Sequence, residues 1–478
     1  MSLRILSQTI KKYNPKADLR MLKKAYEFAE KAHQNQKRKN NQNYFEHPLA
    51  ATQTLAELKL DLATICAGLL HDVPEETSYS LQEIEKEFGK EIGFLVAGVT
   101  KLGKLKYRGL ERYAENLRKM FVAIAKDIRI ILIKFADRLD NLKTLDVLPK
   151  EKQLRIAKES LEIYAPIANR LGISQLKGKL EDLSFKYVYP KEYNWVLGLI
   201  KGRYEKRKEY IDKIKIEVIK ILKEAKIKFL DIHSRIKYLY SLYKKLLSHD
   251  RDLDKIYDLV ALRIIVPRLE DCYAALGAIH QKWKPLKGRI KDYISQPKPN
   301  RYQSLHTTVF GPKGEIFEIQ IRALEMHQKA EFGIASHWYY TESSKRDALS
   351  PIKISWIKEI INWEKEIKDN KKFLEKLKID LFQNQIFVFT PKGDVLNLPE
   401  EATPVDFAYH IHSDLGNQCV GALINDKIAP LDTPLKNGDM VKILVDKNRK
   451  KPSPNWLNFA KSSNVRAKIR HFLSKTKT

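Results

Sequence analysis

The chain has 478 residues, 43% of them hydrophobic and 31% charged, with a net charge of +29; at about 150 residues per domain this suggests about three soluble, globular domains. No uninterrupted apolar stretch approaches the ~20 residues that span a bilayer, and the N-terminus MSLRILSQTIKKYN lacks the apolar core and cleavage site of a signal peptide, so a cytoplasmic location is expected. The positive charge would attract nucleotides, RNA or an anionic membrane, although lysine is abundant throughout and compositional drift remains an open alternative.

The first ~190 residues read as helices. Leu55, Leu58, Leu62, Ile65 and Leu69 recur at helical spacing between Leu49 and Leu70, and the stretch from Ile130 to Leu145 behaves alike. From Lys191 to Leu247 the spacing predicts a lysine-rich helical connector. Leu259 to Val266 (LVALRIIV) reads as a buried strand, and Thr307 to Phe310 with Glu315 to Arg322 reads as a hairpin around Gly311, Pro312, Lys313 and Gly314. A charged helical linker follows. Ile386 to Phe389 and Val395 to Leu398 are then expected to pair across the turn PKGD, and Thr403 to cap a helix with Pro404 at its first position. Strands around Ala422 to Ile424 and Met440 to Val445 complete a small sheet. Cys66, Cys272 and Cys419 form no CxxC pair, which excludes a disulfide framework or cysteine zinc site.

In the helical part, His71 and Asp72 stand together in AGLLHDVPEET, His47 precedes them by 24 residues in YFEHP, and Asp137 follows in IKFADRLDNL. Two imidazoles and two carboxylates form a nitrogen and oxygen set suited to Mn, Fe or a similar divalent ion, and such an ion lowers the pKa of a bound water. The surrounding words RKNNQNYFEHP, LLHDVPEET, VTKLGKL and FADRLDNLKTL resemble the HD-type hydrolase domain of RelA/SpoT homologues. That resemblance implies manganese on His47, His71, Asp72 and Asp137, help to the attacking water from Glu75 and Glu76, and nucleotide contacts from Arg38, Lys39 and Asn141. Three residues depart from the pattern: Glu76 where Asp is usual, Pro74 where an aliphatic residue is usual, and Asp140 where His is common. Proline could shift the start of the loop.

In the middle part, Asp258 stands at the mouth of LVALRIIV, and the period of two in EIFEIQIR places Glu318, Gln320 and Arg322 on one face, read as lining a cleft. Arg235, Lys237, Arg289, Lys291, Lys298 and His306 supply cations, and Tyr302 a ring for a purine. Transfer of pyrophosphate needs this inventory. KDYI, PKPNRYQSLHTTV, EIQIR and AEFGIASHW resemble, in this order, the synthetase domain of the same family. The resemblance implies Mg on Asp258 and Glu318, activation of a 3′-hydroxyl by Glu318, guanine stacking on Tyr302, ATP contact by Arg235, and phosphate and ribose contacts by Lys237, Lys291, Lys298, Asn300 and His306. Arg289, Ile290, Lys291 and Asp292 form the RxKD tetrad of bifunctional members.

The region from Ile386 to Leu444 resembles a TGS domain of β-grasp type. Residues 441–478 carry eleven Lys or Arg against the single acid Asp446, a candidate RNA contact. His410, His412 and this tail are expected to reach a ribosome or tRNA acceptor end. The expected architecture is therefore an all-α hydrolase domain over 1–190, connector and α/β nucleotidyltransferase-like synthetase over 191–345, linker over 346–383, TGS domain over 384–446, and a basic start of a helical region over 447–478. Zinc-finger-like and ACT-like modules of long homologues are not expected within these residues. The resemblance implies a bifunctional stringent-response enzyme, a GTP pyrophosphokinase and guanosine-3′,5′-bis(diphosphate) 3′-diphosphatase acting on ATP, GDP or GTP and (p)ppGpp, with reciprocal control across the connector. Alternatives are a synthetase with an impaired hydrolase, and a ribosome or tRNA binder with relic catalytic domains.

Overall fold

The computed structural model describes residues 2–103, 120–298, 300–336, 385–391, 394–436, 438–446, 449 and 451–475. The expected linker at 346–383 lies outside the described residues. The chain divides into two compact units, Met1–Ile361 and Asn362–Thr478. Among the described residues no helix is long and apolar enough to cross a membrane.

The first unit opens with an all-helical domain. The apolar run between Leu49 and Leu70 is not continuous: it folds as α1 (Glu46–Glu57) and α2 (Leu62–Leu70). Lys59, with φ of 59°, takes the left-handed conformation that ends a helix. Asp61 then caps α2 by accepting the Thr64 N–H at 2.9 Å. The resulting hairpin brings His47, in the first turn of α1, beside His71, just past the end of α2.

A short helix, α3 (Val73–Glu76), follows with Pro74 in its first turn, where a missing N–H has no intrahelical partner to lose. The N–H groups of Glu75 and Glu76 still reach the Asp72 carbonyl at 3.1 and 2.9 Å, so the proline leaves the turn intact. Helix α4 (Arg129–Lys143) buries Ile130, Ile131, Ile133 and Phe135 and presents Asp137, Asp140 and Asn141 along one side.

A five-stranded mixed sheet follows, in the order β1-β2-β5-β4-β3, built from β1 (Asp231–Ile236), β2 (Val260–Val266), β3 (Pro285–Asp292), β4 (Leu305–Phe310) and β5 (Ile316–Ala323). Only β2 and β5 run parallel; the other neighbours are antiparallel. The expected β4–β5 hairpin forms, with Phe310 opposite Ile316.

The expected all-helical connector is corrected here. After α5 (Ser174–Val188) and α6 (Pro190–Ile200), helix α7 (Arg203–Glu224) buries Ile211, Ile214, Val218 and Leu222 in one core with Val260, Leu262 and Ile264 of β2. Residues 231–236 are a strand, paired residue for residue with β2. Only Ile232 of that strand is buried, so its own apolar pattern is weak and the edge of β2 decides its conformation.

Helix α8 (Leu239–Leu247) then docks on α5. Asp182 accepts the N–H groups of Leu239 and Tyr240 at 3.1 and 3.0 Å, and Glu181 accepts Lys244 Nζ at 3.0 Å. A Cβ at Gly178 would fall inside the Tyr238 ring, so glycine is what allows this approach. The sheet is completed by α9 (Leu269–Lys282) on its apolar face and α10 (Leu324–Phe332) after β5.

In the second unit, β6 (Gln385–Phe389) pairs with β7 (Val395–Pro399) as expected. Thr403 and Asp406 form a capping box for α11 (Pro404–Ile411). A one-turn helix, α12 (Ser413–Asn417), leads to β8 (Cys419–Ile424), β9 (Lys427–Ala429) and β10 (Val441–Val445), in the order β10-β8-β9. The short β9 escapes the sequence reading because three residues carry no period. The basic tail is integrated rather than loose: Trp456, Ala460, Val465 and Ile469 share a core with Val405, Tyr409 and Cys419, and Asp406 accepts the N–H groups of Lys461 and Ser462.

Candidate active sites

The helical domain gathers its four predicted metal ligands at one point. His47 Nε2 lies 3.4 Å from Asp72 Oδ2 and 3.3 Å from Asp137 Oδ1, and His71 Nε2 lies 3.2 Å from Asp72 Oδ1. Ligand atoms of His47, His71 and Asp137 fall within 4.8 Å of one another. His71 Nδ1 donates to the Gly68 carbonyl at 2.7 Å, which assigns the ring proton to Nδ1 and leaves a lone pair on Nε2. That Nε2 is buried without a hydrogen-bond donor and faces a carboxylate oxygen. Two lone pairs at this separation repel unless a cation lies between them, so the donor set fits a divalent metal.

The electrostatics point the same way. Burial alone would push the His47 imidazole down, but bonds to Asp137 and Asp140 and the charges of Asp72 and Asp137 raise it to about 9. Burial opposes ionisation of Asp137, yet Lys134 and the bond from His47 hold its carboxyl well below the usual range. Lys134 Nζ reaches Asp137 Oδ2 at 2.6 Å. Such a concentration of carboxylate around one imidazole calls for positive charge, supplied by protons when no ion is bound.

The flanking predictions divide. Asn141 donates to Asp137, and Arg38 Nη2 donates to Asn141 Oδ1 at 2.7 Å, so both join the cluster. Glu76 stands close enough to Asp72 that burial and that charge push its carboxyl up. Glu75 and Glu76 are both exposed on α3, and Lys39 lies on an exposed turn. Lys39 makes no hydrogen bond or ion pair among the described residues. Sequence reasoning missed Tyr44, whose hydroxyl donates to Asp72 Oδ2 at 3.1 Å, and Lys134, although its i,i+3 spacing to Asp137 is a readable signal.

In the sheet domain, partners in register line one polar face: Lys291 opposite His306, His306 opposite Gln320, and Gln320 beside Arg263. Asp258, two residues before β2, is held by Lys237 Nζ at 2.5 Å and Lys245 Nζ at 2.7 Å. Although burial opposes it, these two ammonium groups keep the Asp258 carboxyl ionised well below the usual carboxylate range. Lys245 was not foreseen; in SLYKKLL nothing separates it from other surface lysines. Glu318 bonds His306 Nδ1 at 3.1 Å and accepts Gln320 Nε2 at 2.9 Å; burial, and to a smaller degree the charge of Asp258, oppose its ionisation, but the bond to His306 holds its carboxyl below the ordinary value.

Arg322 departs from the expected cleft-facing guanidinium. It is 1% exposed, donates to Tyr302 Oη at 2.7 Å and pairs with Glu331 at 3.3 Å. It sits 4.8 Å from the Tyr302 ring and supports that ring from below. Gln320, also 1% exposed, orients Glu318 rather than facing the cleft. Lys298 Nζ covers the Tyr302 and Tyr293 rings at 5.1 and 4.5 Å. The side chain of Arg235, one residue before the end of β1, makes no hydrogen bond or ion pair among the described residues. Asn300 Oδ1 accepts the Tyr302 N–H at 3.3 Å. In the tetrad, Arg289 stands 5.7 Å from the Tyr257 ring, Lys291 is exposed beside His306, and Asp292 caps the next turn through the Ile294 and Ser295 N–H groups. In the second unit His410, Ile411 and His412 are exposed, and His412 Nδ1 accepts the Asp414 N–H at 3.3 Å.

A helical domain converges histidines on aspartates, and the mixed sheet that follows it sets two carboxylates among cations, so the first unit holds two separate clusters of ionisable side chains. Residues 25–174 match the HD domain, residues 234–345 the region found in RelA/SpoT proteins, and residues 386–445 the TGS domain. The chain thus carries, in this order, the three regions that these family models describe. It is 49% identical to a GTP pyrophosphokinase of Myxococcus xanthus over 97% of its length, 46% to a guanosine-3′,5′-bis(diphosphate) 3′-pyrophosphohydrolase of Aquifex aeolicus over 95%, and 44% to a bifunctional (p)ppGpp synthase/hydrolase of Mycobacterium tuberculosis over 96%. The chain spans 62%, 64% and 63% of the length of these three relatives.

Proposed function

We propose that the chain transfers pyrophosphate from ATP to the 3′-hydroxyl of GDP or GTP at the sheet domain and removes it again from (p)ppGpp at the helical domain. The observation that carries the hydrolytic half is the buried His71 Nε2 lone pair facing Asp72, with His47 and Asp137 alongside. A divalent cation, manganese by family resemblance, would supply Lewis acidity and an activated water when bound by these four residues. Glu76, with its raised carboxyl, takes a proton from the attacking water, with Glu75 at its side. Arg38, Lys39 and Asn141 bind the nucleotide.

For synthesis, Asp258 and Glu318 would hold a divalent cation, magnesium by family resemblance, and Glu318 accepts the 3′-hydroxyl proton. Arg235, Lys237, Arg289, Lys291 and Lys298 neutralise the phosphates, with Asn300 and His306 at the ribose. Guanine stacks on the outer face of Tyr302 once the Lys298 side chain moves aside, while Arg322 and Gln320 act from beneath. The retained turn at Pro74 and the placement of Glu76 favour an active hydrolase over an impaired one. The exposed His410 and His412 and the basic tail support contact with tRNA or the ribosome.

The test is product separation by thin-layer chromatography. ATP plus GDP with magnesium should yield ppGpp, and ppGpp with manganese should yield GDP and pyrophosphate. Absence of the second product alone would leave a synthetase with a dead hydrolase; absence of both would leave the binding-protein reading.

A further inference from the structure

Asp140 stands where the resemblance leads one to expect histidine, and its geometry gives the change a purpose. Its Oδ2 accepts the N–H of His47 Nδ1 at 2.7 Å in the protein interior. The same oxygen accepts Arg38 Nη1 at 3.3 Å, and Lys143 Nζ lies 3.8 Å from Oδ1. The Asp140 side chain is 10% exposed and that of His47 3%. A carboxylate acceptor places the ring proton on Nδ1. His47 Nε2 is thereby the nitrogen presented between Asp72 and Asp137. A carboxylate on the far nitrogen of a ligating histidine fixes the ring and raises its basicity toward the ion.

We propose that Asp140 is a positioning residue that holds His47 in its cation-binding tautomer and orientation, through the Nδ1–H···Oδ2 bond. The inference rests on the reading of His47, His71, Asp72 and Asp137 as a metal centre. Helical spacing from Asp137 brings Asp140 to the same side of α4, so one helix supplies a ligand and the support for a second ligand on α1. Asn141 adds its bonds to Asp137 and Arg38, which leaves Asp140 as the carboxylate at His47 Nδ1.

The test is manganese affinity of the full chain, measured by titration with electron paramagnetic resonance of free Mn²⁺, for the parent protein and for Asp140→Ala, Asp140→Asn and His71→Ala. Asp140→Ala should weaken binding by about 10- to 100-fold. Asp140→Asn should lose less, because its amide oxygen still accepts the Nδ1 proton. A purely structural role would lower the unfolding temperature of the metal-free variants without this graded order. Unchanged manganese affinity in both Asp140 variants, with binding lost in His71→Ala, would overturn the role of Asp140 and leave the metal centre standing. Unchanged affinity in His71→Ala as well would overturn the metal centre itself. Should Asp140→Ala not fold, Asp140→Asn decides alone, since an isosteric amide preserves the packing.

Discussion

The two candidate centres of the first unit hold similar polar residues in opposite electrostatic balance. In the helical domain, Asp72, Asp137 and Asp140 crowd one imidazole, and the buried Nε2 of His71 faces a carboxylate with no donor to satisfy it. On the sheet, Asp258 is already gripped by Lys237 and Lys245, and Glu318 by His306 and Gln320. In the first centre Lys134 and Arg38 pair with Asp137 and Asp140, but Asp72 has no Lys or Arg partner among the described residues and faces the two imidazoles. In the second, Lys237 and Lys245 already neutralise Asp258, so a cation bound there would have to displace them.

That contrast breaks most directly in single substitutions that separate the two reactions. Asp72→Asn should lower pyrophosphate release from ppGpp by about 10³-fold, the several kcal/mol a catalytic cation supplies, with synthesis from ATP and GDP within about two-fold of the parent. Asp258→Asn should do the reverse. Rates of both reactions on each variant check this, and equal loss of both reactions in either variant would mean that the centres are not independent.

How much of this was legible in the sequence differs between the centres for the same reason. His47, His71, Asp72 and Asp137 lie in short words on strongly periodic helices, where spacing alone puts Asp137 and Asn141 on one side, and the four side chains stand close together in the structure. Asp140 was readable only as an oddity, because its meaning depends on His47, 93 residues away. On the sheet, the period of two correctly placed Glu318, Gln320 and Arg322 on one face. It could not say that Arg322 lies under the Tyr302 ring, since depth beneath a neighbouring strand is not encoded in alternation. Residues 231–236 were misread because an edge strand with one buried side chain takes its conformation from the strand beside it. The apparent connector was misread because a lysine-rich helix hides its Ile211, Ile214, Val218 and Leu222 stripe among charges.

The centres also share a joint, which a second prediction probes. Helix α5 caps α8 through Asp182, and α8 carries Lys245 to Asp258, so the helical domain reaches this carboxylate of the sheet domain through two packed helices. This route, rather than a flexible connector, is where we place any reciprocal control. Gly178→Ala should force α5 away from Tyr238 at a cost of about 1–3 kcal/mol, as overpacking does, and should lower the thermal unfolding midpoint. If control runs through this joint, the variant should also change the ratio of synthesis to hydrolysis. An unchanged ratio with a lowered midpoint would confine the joint to a structural role.

The smallest expected effect sharpens the contrast from the synthetase side, where the buried ionic network is all cation and one acid. His327 on α10 packs near Arg263, Arg322, Glu331 and the His233 ring, and its Nδ1 is buried without a hydrogen-bond partner. Burial, reinforced by the two guanidinium groups and partly offset by Glu331, lowers its imidazole from 6.5 to about 4. A histidine lowered on folding binds its proton more readily in the unfolded chain. Its stabilising contribution is therefore complete above about pH 6.5 and is lost as pH falls toward about 4. Full effect would be about 3 kcal/mol, and partial solvent screening of the ring reduces this to about 1–2 kcal/mol. His327→Gln, neutral at every pH, should flatten the fall in stability between pH 6.5 and 5 measured by urea unfolding. A parent and variant with the same slope over that range would show that Glu331, not the imidazole, absorbs the acid sensitivity of the network.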